Sequence, residues 1–390
     1  VTGGQAETSG PGAQRGFGLE LPDYPWDTLI PYRRIAEAHP DGAVDLSVGT
    51  PVDPTPAVVR QALADAADGH GYPTTHGGEA LRQAIADWYS RRRAVPGLDP
   101  GAVLPTVGSK ELIAWLPVLL GLGPGDIVVR PEIAYPTYDI GARLAGAQVV
   151  ATDEPWELEP QIRNRIRLIW INSPGNPTGA VQDIPVLQQF VAEARALGAV
   201  LASDECYAEL GWGAWDEARG GTQVPSLLHP RVAGGSHEGL LAVYSLSKQS
   251  NMAGYRAAFS AGDPRLIANL LNTRKHAGMM VPGPVQRAMS AALGDDAHVQ
   301  EQKDLYRGRR ERLRGALEAF GLRIEHSEAG LYLWGTAEED AWRTIGRLAE
   351  LGLIAGPGSF YGSAGDQFVR IALTCSDAGI DAAVHRLRGE

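Results

Sequence analysis

The stretch "LLAVYSLSKQSNMAGYR", residues 240–256, decides how the chain is read. Its first half is a short β-rich apolar run, the pattern of a strand buried on both faces of a sheet. The run ends in two serines, a lysine and small residues, with an arginine eight positions beyond the lysine. Two other runs end in the same way: "IRLIWI" gives way to "NSPGNPTG", and "AVLA" to "SDECYAEL". Between such runs lie helical patterns, as in "TPAVVRQALADAA" and "GEALRQAIADWYSRRR". Strands alternating with helices predict an α/β fold, a mainly parallel sheet between helix layers whose binding groups gather at the carboxyl ends of the strands.

The last third changes character. "DAHVQEQKDLYRGRRERLRGALEAFG" reads as one long charged helix, "RIEHSEAGLYLWG" as a pair of strands, "DAWRTIGRLAELG" as a helix, "QFVRIALT" as a strand, and a helix closes the chain. This predicts a smaller α+β lobe, with a boundary near "MMVPGPVQ", residues 279–286, where Pro and Gly punctuate the sequence. A chain of 390 residues exceeds the size at which single cores stop growing, so two lobes are expected. Residues 1–16 have almost nothing to bury and are expected to form a disordered tail.

A net charge of −11 argues against nucleic acid or an anionic membrane as the main partner, so any basic site must be local. Two cysteines, Cys206 and Cys375, make neither a disulfide framework nor a metal-ligand spacing. No apolar run is long enough to span a membrane, and "VTGGQAETSGPGAQRG" lacks the apolar centre of a signal peptide. A cytoplasmic setting is expected. The nine histidines form no paired-ligand pattern, so no metal is expected.

At the strand exits, Asn176 sits in a turn fixed by two prolines and two glycines, either for its backbone tolerance or to present its amide. Asp204 is either a helix cap or a charge held for a cationic partner. Lys248 could snorkel to the surface, but a lysine at a buried strand exit is also the residue that becomes nucleophilic when its pKa falls. Ser245, Ser247 and Arg256 supply the donors that hold a phosphate. Amine and phosphate holder together imply one ligand carrying an aldehyde and a phosphate. "TVGSKELIAWL" places Gly108, Ser109 and Lys110 at a helix start, which is a capped terminus or a second anion contact.

"NSPGNPTG", "SDECY", "SLSKQSNMAGYR" and "FVRIALT", in that order, resemble the fold-type-I pyridoxal-phosphate-dependent aminotransferases of class I and II, and the similarity covers about residues 20 to 390. The resemblance implies a large domain with a mainly parallel seven-stranded sheet at 49–283, a small α+β domain at 284–390, and an N-terminal segment, 17–48, that joins the small domain. It implies that Lys248 links covalently to the cofactor's C4′ carbon and later moves a proton between substrate Cα and C4′. Asp204 would pair with the pyridine nitrogen, Tyr207 and Asn176 would bond the phenolic oxygen, and Tyr135 would stack on the ring. Gly108, Ser109, Lys110, Ser245, Ser247 and Arg256 would hold the phosphate. Tyr72 would reach the phosphate of a neighbouring subunit, which requires a homodimer. Arg370 would bind the substrate α-carboxylate bidentately, with Asn176 and the loop at Gly49 assisting.

Wider strings, among them "LPDYPWDTLIPYR", "RKHAGMMVPGPVQ" and "GPGSFYG", resemble the succinyldiaminopimelate aminotransferases of actinobacteria. That resemblance implies glutamate as amino donor and N-succinyl-2-amino-6-oxopimelate as acceptor, in lysine and diaminopimelate biosynthesis. Arg33, Arg34, Lys275 and His276 are candidates for the distal carboxylates, with a surface role equally open for the first two. The alternatives are another class I/II aminotransferase, for aspartate, aromatic amino acids or LL-diaminopimelate, and a C–S β-lyase on the same scaffold. A non-catalytic regulator and a nicotinamide dehydrogenase are poorly supported; "GLGPGD" lacks the setting of a dinucleotide loop.

Overall fold

The structure is a computed structural model that describes residues 25–389 together with Leu19, Leu21 and Pro22; the expected tail at 1–16 and the start of the 17–48 segment lie outside the described residues. After a short β1 (Val44–Asp45), the strands β2 (Val103–Val107), β3 (Ile127–Arg130), β4 (Gln148–Ala151), β5 (Ile166–Asn172), β6 (Val200–Asp204), β7 (Leu240–Ser245) and β8 (Ala257–Gly262) form one seven-stranded sheet. Its spatial order is β2, β8, β7, β6, β5, β3, β4. Only β8 runs against the others, pairing antiparallel with β2 and β7.

That reversal has a simple cause. A parallel crossover needs about a dozen residues or more, usually with a helix. The link from β7 to β8 is only residues 246–256, so the chain returns directly, and Lys248 sits in the return.

Both faces of the sheet are buried, as the continuous apolar runs predict. Ile169, Ile171, Leu201, Ala242 and Tyr244 enter one hydrophobic cluster. Their alternating neighbours Leu168, Trp170, Ala202, Leu241 and Val243 enter another. This period-two split places a helix layer on each side.

In the second lobe β9 (Arg323–Glu325), β10 (Tyr332–Thr336), β12 (Gly356–Pro357) and β13 (Phe368–Ala372) make an antiparallel sheet in the order β12, β13, β10, β9. Separately, β11 (Leu353–Ile354) pairs in parallel with β1. Leu29, Val44 and Leu46 share this lobe's core with Leu333, Ile345 and Ile371, so the N-terminal segment packs here. The helix Gly283–Gly294 instead buries Ala288, Met289, Ala292 and Leu293 in the large lobe's core, against the helices Ala57–Asp65 and Glu79–Arg92. We therefore place the change of lobe after residue 294 and not at 283. Pro284 lies in that helix's first turn, so the Pro and Gly of "MMVPGPVQ" mark a helix start.

Candidate active site

Because β5, β6 and β7 are neighbours, their three polar exits lie side by side. Asn172 closes β5 and pins the turn that follows. Its Nδ2 donates to the carbonyls of Asp204 at 2.9 Å and Pro174 at 3.0 Å, and its Oδ1 accepts from the Asn176 amide at 2.8 Å. Asn172 thus does the turn-holding, which leaves the Asn176 side chain to accept from Arg370 Nη1 at 3.0 Å.

Asp204 ends β6 at 6% exposure. Its Oδ2 accepts from the Tyr138 hydroxyl at 3.0 Å and its Oδ1 from the Cys206 amide at 3.2 Å. Burial pushes its pKa up, against the pull of the bonds from Cys206 and Tyr138. Among the described residues no cation pairs with it within 4.0 Å.

Lys248 follows β7 in the short helix Leu246–Gln249, and its amine donates to the Gly49 carbonyl at 2.5 Å. Burial holds its pKa below the ordinary lysine value, and the cations Arg370 and Arg256 add to this while Tyr332 and Cys206 oppose it. A lysine whose amine gives up its proton more easily is a better nucleophile and base.

The anion cradle forms beside it. Gly108 has φ +79, and a Cβ there would lie 2.1 Å from Arg256 Nη2, so only glycine lets the guanidinium sit against this backbone. Gly108 precedes the helix Ser109–Leu119, whose first amides have no side-chain cap. Arg256 is fixed by donating Nη1 to the Ala253 carbonyl at 2.8 Å. Ser245 donates its hydroxyl to that of Ser247 at 2.8 Å.

Arg370 lies on β13 at 4% exposure, opposite Trp334 of β10. Its Nη2 donates to the Ser47 carbonyl at 2.6 Å, and among the described residues its Nε has no hydrogen-bond partner and no carboxylate pairs with it. Aromatic faces hold it instead: Tyr332 at 4.0 Å, Tyr361 at 5.0 Å and Trp26 at 5.6 Å from the guanidinium carbon. The Tyr207 and Tyr332 hydroxyls lie 3.4 Å apart. Tyr135 is half-buried, with its ring edge-on to Tyr138 at 6.2 Å between centroids.

Tyr72 stands apart. Its side chain is 100% exposed and joins none of these groups within the chain. Lys110 is exposed, as are Lys275, His276 and Arg34. Arg33 is committed to Asp45 at 2.8 Å and to the Ser47 hydroxyl at 3.3 Å.

Tyr332 and Tyr138 escaped the sequence reading. For Tyr332 a signal existed: alternation along "LYLWG" puts it on the same face as Trp334, and pairing with "FVRIA" sets it diagonally from Arg370. For Tyr138 there was none, since its contact with Asp204 spans 66 residues.

A buried carboxylate without a cation, a buried amine of lowered pKa and a glycine-lined anion cradle on one rim are the complement of a phosphorylated pyridine aldehyde. The chain belongs to the aminotransferase class I and II family, whose model matches residues 41–387, and this family uses pyridoxal 5′-phosphate. It is 56% identical over 370 residues to the 4-dedimethylamino-4-oxo-anhydrotetracycline transaminase of Streptomyces rimosus, covering 94% of this chain and 99% of that one. It is 51% identical over 375 residues to a probable aminotransferase of Mycobacterium tuberculosis, covering 96% and 87%. A solved structure named as a probable N-succinyldiaminopimelate aminotransferase from Thermus thermophilus superposes with a TM-score of 0.81 at 29% identity, covering 93% and 99%. Among the described residues no helix is long and apolar enough to cross a membrane, and no group of three or more His, Cys, Asp or Glu is placed to hold a metal ion.

Proposed function

We propose that the protein is a glutamate-dependent aminotransferase whose acceptor is N-succinyl-2-amino-6-oxopimelate. The observation that carries the glutamate side of this reading is Arg370, a buried cation with no carboxylate partner among the described residues, in the same site as Lys248. A buried charge without a counter-ion is costly, and a substrate carboxylate would relieve it. The likeness to the Thermus structure supports the acceptor, as do the sequence strings that resemble succinyldiaminopimelate aminotransferases.

When bound, pyridoxal 5′-phosphate supplies an aldehyde that captures amines and a protonated ring that draws electrons from the substrate Cα. The chain's own groups would do the rest. Asp204 holds the proton on the ring nitrogen, and the cofactor's cation in turn stabilises this carboxylate. Gly108, Ser109 and Lys110 at the helix start, with Ser245, Ser247 and Arg256, grip the phosphate. Tyr207 and Asn176 bond the phenolic oxygen, and Tyr135 covers the ring. Arg370, with Asn176 and the Gly49 loop, orients the amino acid by its carboxylate. Lys248 would hold the aldehyde end of the cofactor and, as a free amine, would be the base that takes and returns the substrate Cα proton. Tyr72 would complete the phosphate site of a second copy, which makes the working form a homodimer.

Identity of 56% to a transaminase of a tetracycline intermediate favours a second reading, a polycyclic ketone as acceptor. The aromatic faces of Trp26 and Tyr361 beside Arg370 would suit it. One experiment separates the readings. Purified holoenzyme is mixed with glutamate, its absorbance is followed, and the aminated enzyme is then offered each acceptor. No conversion with glutamate would sink the donor. Re-conversion only by an aromatic ketone would sink the succinylated acceptor, and pyruvate released from a cysteine conjugate would point to β-lyase chemistry.

A further inference from the structure

Among the described residues Arg370 makes one hydrogen bond with each Nη group, to Asn176 Oδ1 and to the Ser47 carbonyl. Two such bonds anchor the guanidinium but leave its plane free to tilt about them. A flat face packed under the plane removes that freedom, and Tyr332 is the nearest such face at 4.0 Å.

Tyr332 is itself held on every side. It lies on β10, the strand between β13 and β9, and its ring is 4% exposed. Its hydroxyl lies 3.4 Å from that of Tyr207 and presses on the Gly49 backbone, where a Cβ would come within 1.9 Å of it. One side chain therefore touches the carboxylate-binding arginine, the Tyr207 hydroxyl and the loop that holds the Lys248 amine.

We propose that Tyr332 is a positioning residue that keeps substrate recognition and the cofactor's phenolic oxygen in register, its ring seating the Arg370 guanidinium and its hydroxyl sharing a hydrogen bond with that of Tyr207. Burial pushes the Tyr332 hydroxyl up, but Arg370 and Lys248 outweigh it and hold the group below the usual phenol range. Burial and then Tyr332 push Tyr207 well above that range. The shared bond ties the Tyr207 hydroxyl, which would meet the cofactor, to the ring that seats Arg370. This inference rests on the proposed cofactor role of Tyr207, but not on which amino acid is the donor.

Two variants separate ring from hydroxyl, and both are read on the holoenzyme without turnover. Tyr332→Phe keeps the face and should bind glutarate within about threefold of wild type, whereas Tyr332→Leu should weaken glutarate about tenfold. Glutarate lacks an amine, so it reports the carboxylate grip without turnover; failure of glutamate turnover in wild type would overturn the donor assignment alone. Without the Tyr332 hydroxyl, Tyr207 loses this partner and its bond to the phenolic oxygen changes in strength. The pH midpoint of the holoenzyme's visible absorbance should therefore move in Tyr332→Phe by roughly half a pH unit. Should the leucine variant fail to fold, Tyr332→Met offers an adaptable apolar chain without a face and carries the same expectation. Glutarate binding unchanged in the faceless variant, or an unmoved midpoint in Tyr332→Phe, would overturn the assignment.

Discussion

The Lys248 amine donates to the carbonyl of Gly49 at 2.5 Å, across 199 residues of sequence. The free lysine thus has a fixed acceptor on a loop from the far side of the site. That loop is tied down in turn: Asp53 accepts from Arg309 and from Gln302, and Gln302 accepts from Asn251, three residues after the lysine.

Gly49→Ala should displace this acceptor. Its Cβ would meet the Tyr332 hydroxyl at 1.9 Å and the ring carbon behind it at 2.8 Å, both too close to keep. A shift of about an ångström in a positioned group costs up to about a hundredfold in rate, so kcat should fall tenfold or more. Adding Tyr332→Phe removes the closer clash and should recover part of the loss. A Gly49→Ala enzyme with wild-type kcat would show that the loop's position is not critical.

Asp204→Asn should separate stability from function. Burial raises the pKa of Asp204, so the folded cofactor-free protein holds its proton more tightly than the unfolded chain does above the ordinary value of 3.8. This group's contribution to stability is therefore present at low pH and lost as pH rises through the folded value. At pH 7 the cofactor-free variant should be as stable as wild type, or more so by about 1 kcal/mol, in chemical denaturation. Cofactor affinity should fall in the same variant, read as a higher dissociation constant. A less stable cofactor-free variant would mean that Asp204 is already paired in the folded chain.

Much of this site is legible in the sequence because strand exits are punctuated there. "LLAVYSLSK", "AVLASDE" and "LIWINSPGN" each show an apolar run stopping at a polar group, and parallel pairing alone brings Ser245, Asp204 and Asn172 to one edge. What the sequence hides are partners supplied by tertiary packing. Tyr138 meets Asp204 only because the helix Thr137–Leu144 lies on the sheet with Tyr138 tilted against Trp170 at 5.0 Å. Tyr332 meets Arg370 through the antiparallel pairing of β10 with β13, and Trp26 meets it only once the N-terminal segment has packed on this lobe. The lobe boundary misleads for a related reason, since Pro and Gly mark a helix start as readily as a linker.

The loop anchor at Asp53 should make the protein sensitive to acid. Burial pushes this carboxyl up, but hydrogen bonds from Arg309 and Gln302 outweigh it and hold it below 3.8. Its contribution is present above the unfolded value and lost as pH falls through the folded one. Asp53→Asn should cost about 2 kcal/mol at pH 7, because it leaves Arg309, 1% exposed, with Asp377 alone. The gap between variant and wild type in melting temperature should narrow as pH drops below about 4. A gap that stays constant down to pH 3 would mean that the pair contributes by packing and not by charge.

Arg370→Lys tests whether the fork, and not the charge alone, is what the site uses. The two Nη groups each give one bond to the protein, which leaves the Nε side and the outer hydrogens for a carboxylate. An ammonium in the same place can satisfy Asn176, Ser47 or the substrate, but it lacks the planar fork that serves all three, and it packs less well on the Tyr332 face. The KM for glutamate should rise about tenfold or more, while kcat, which the proposed mechanism assigns to proton transfer at Lys248, should change less. If KM held and kcat fell instead, Arg370 would be acting on the reacting atoms and the carboxylate would be bound elsewhere.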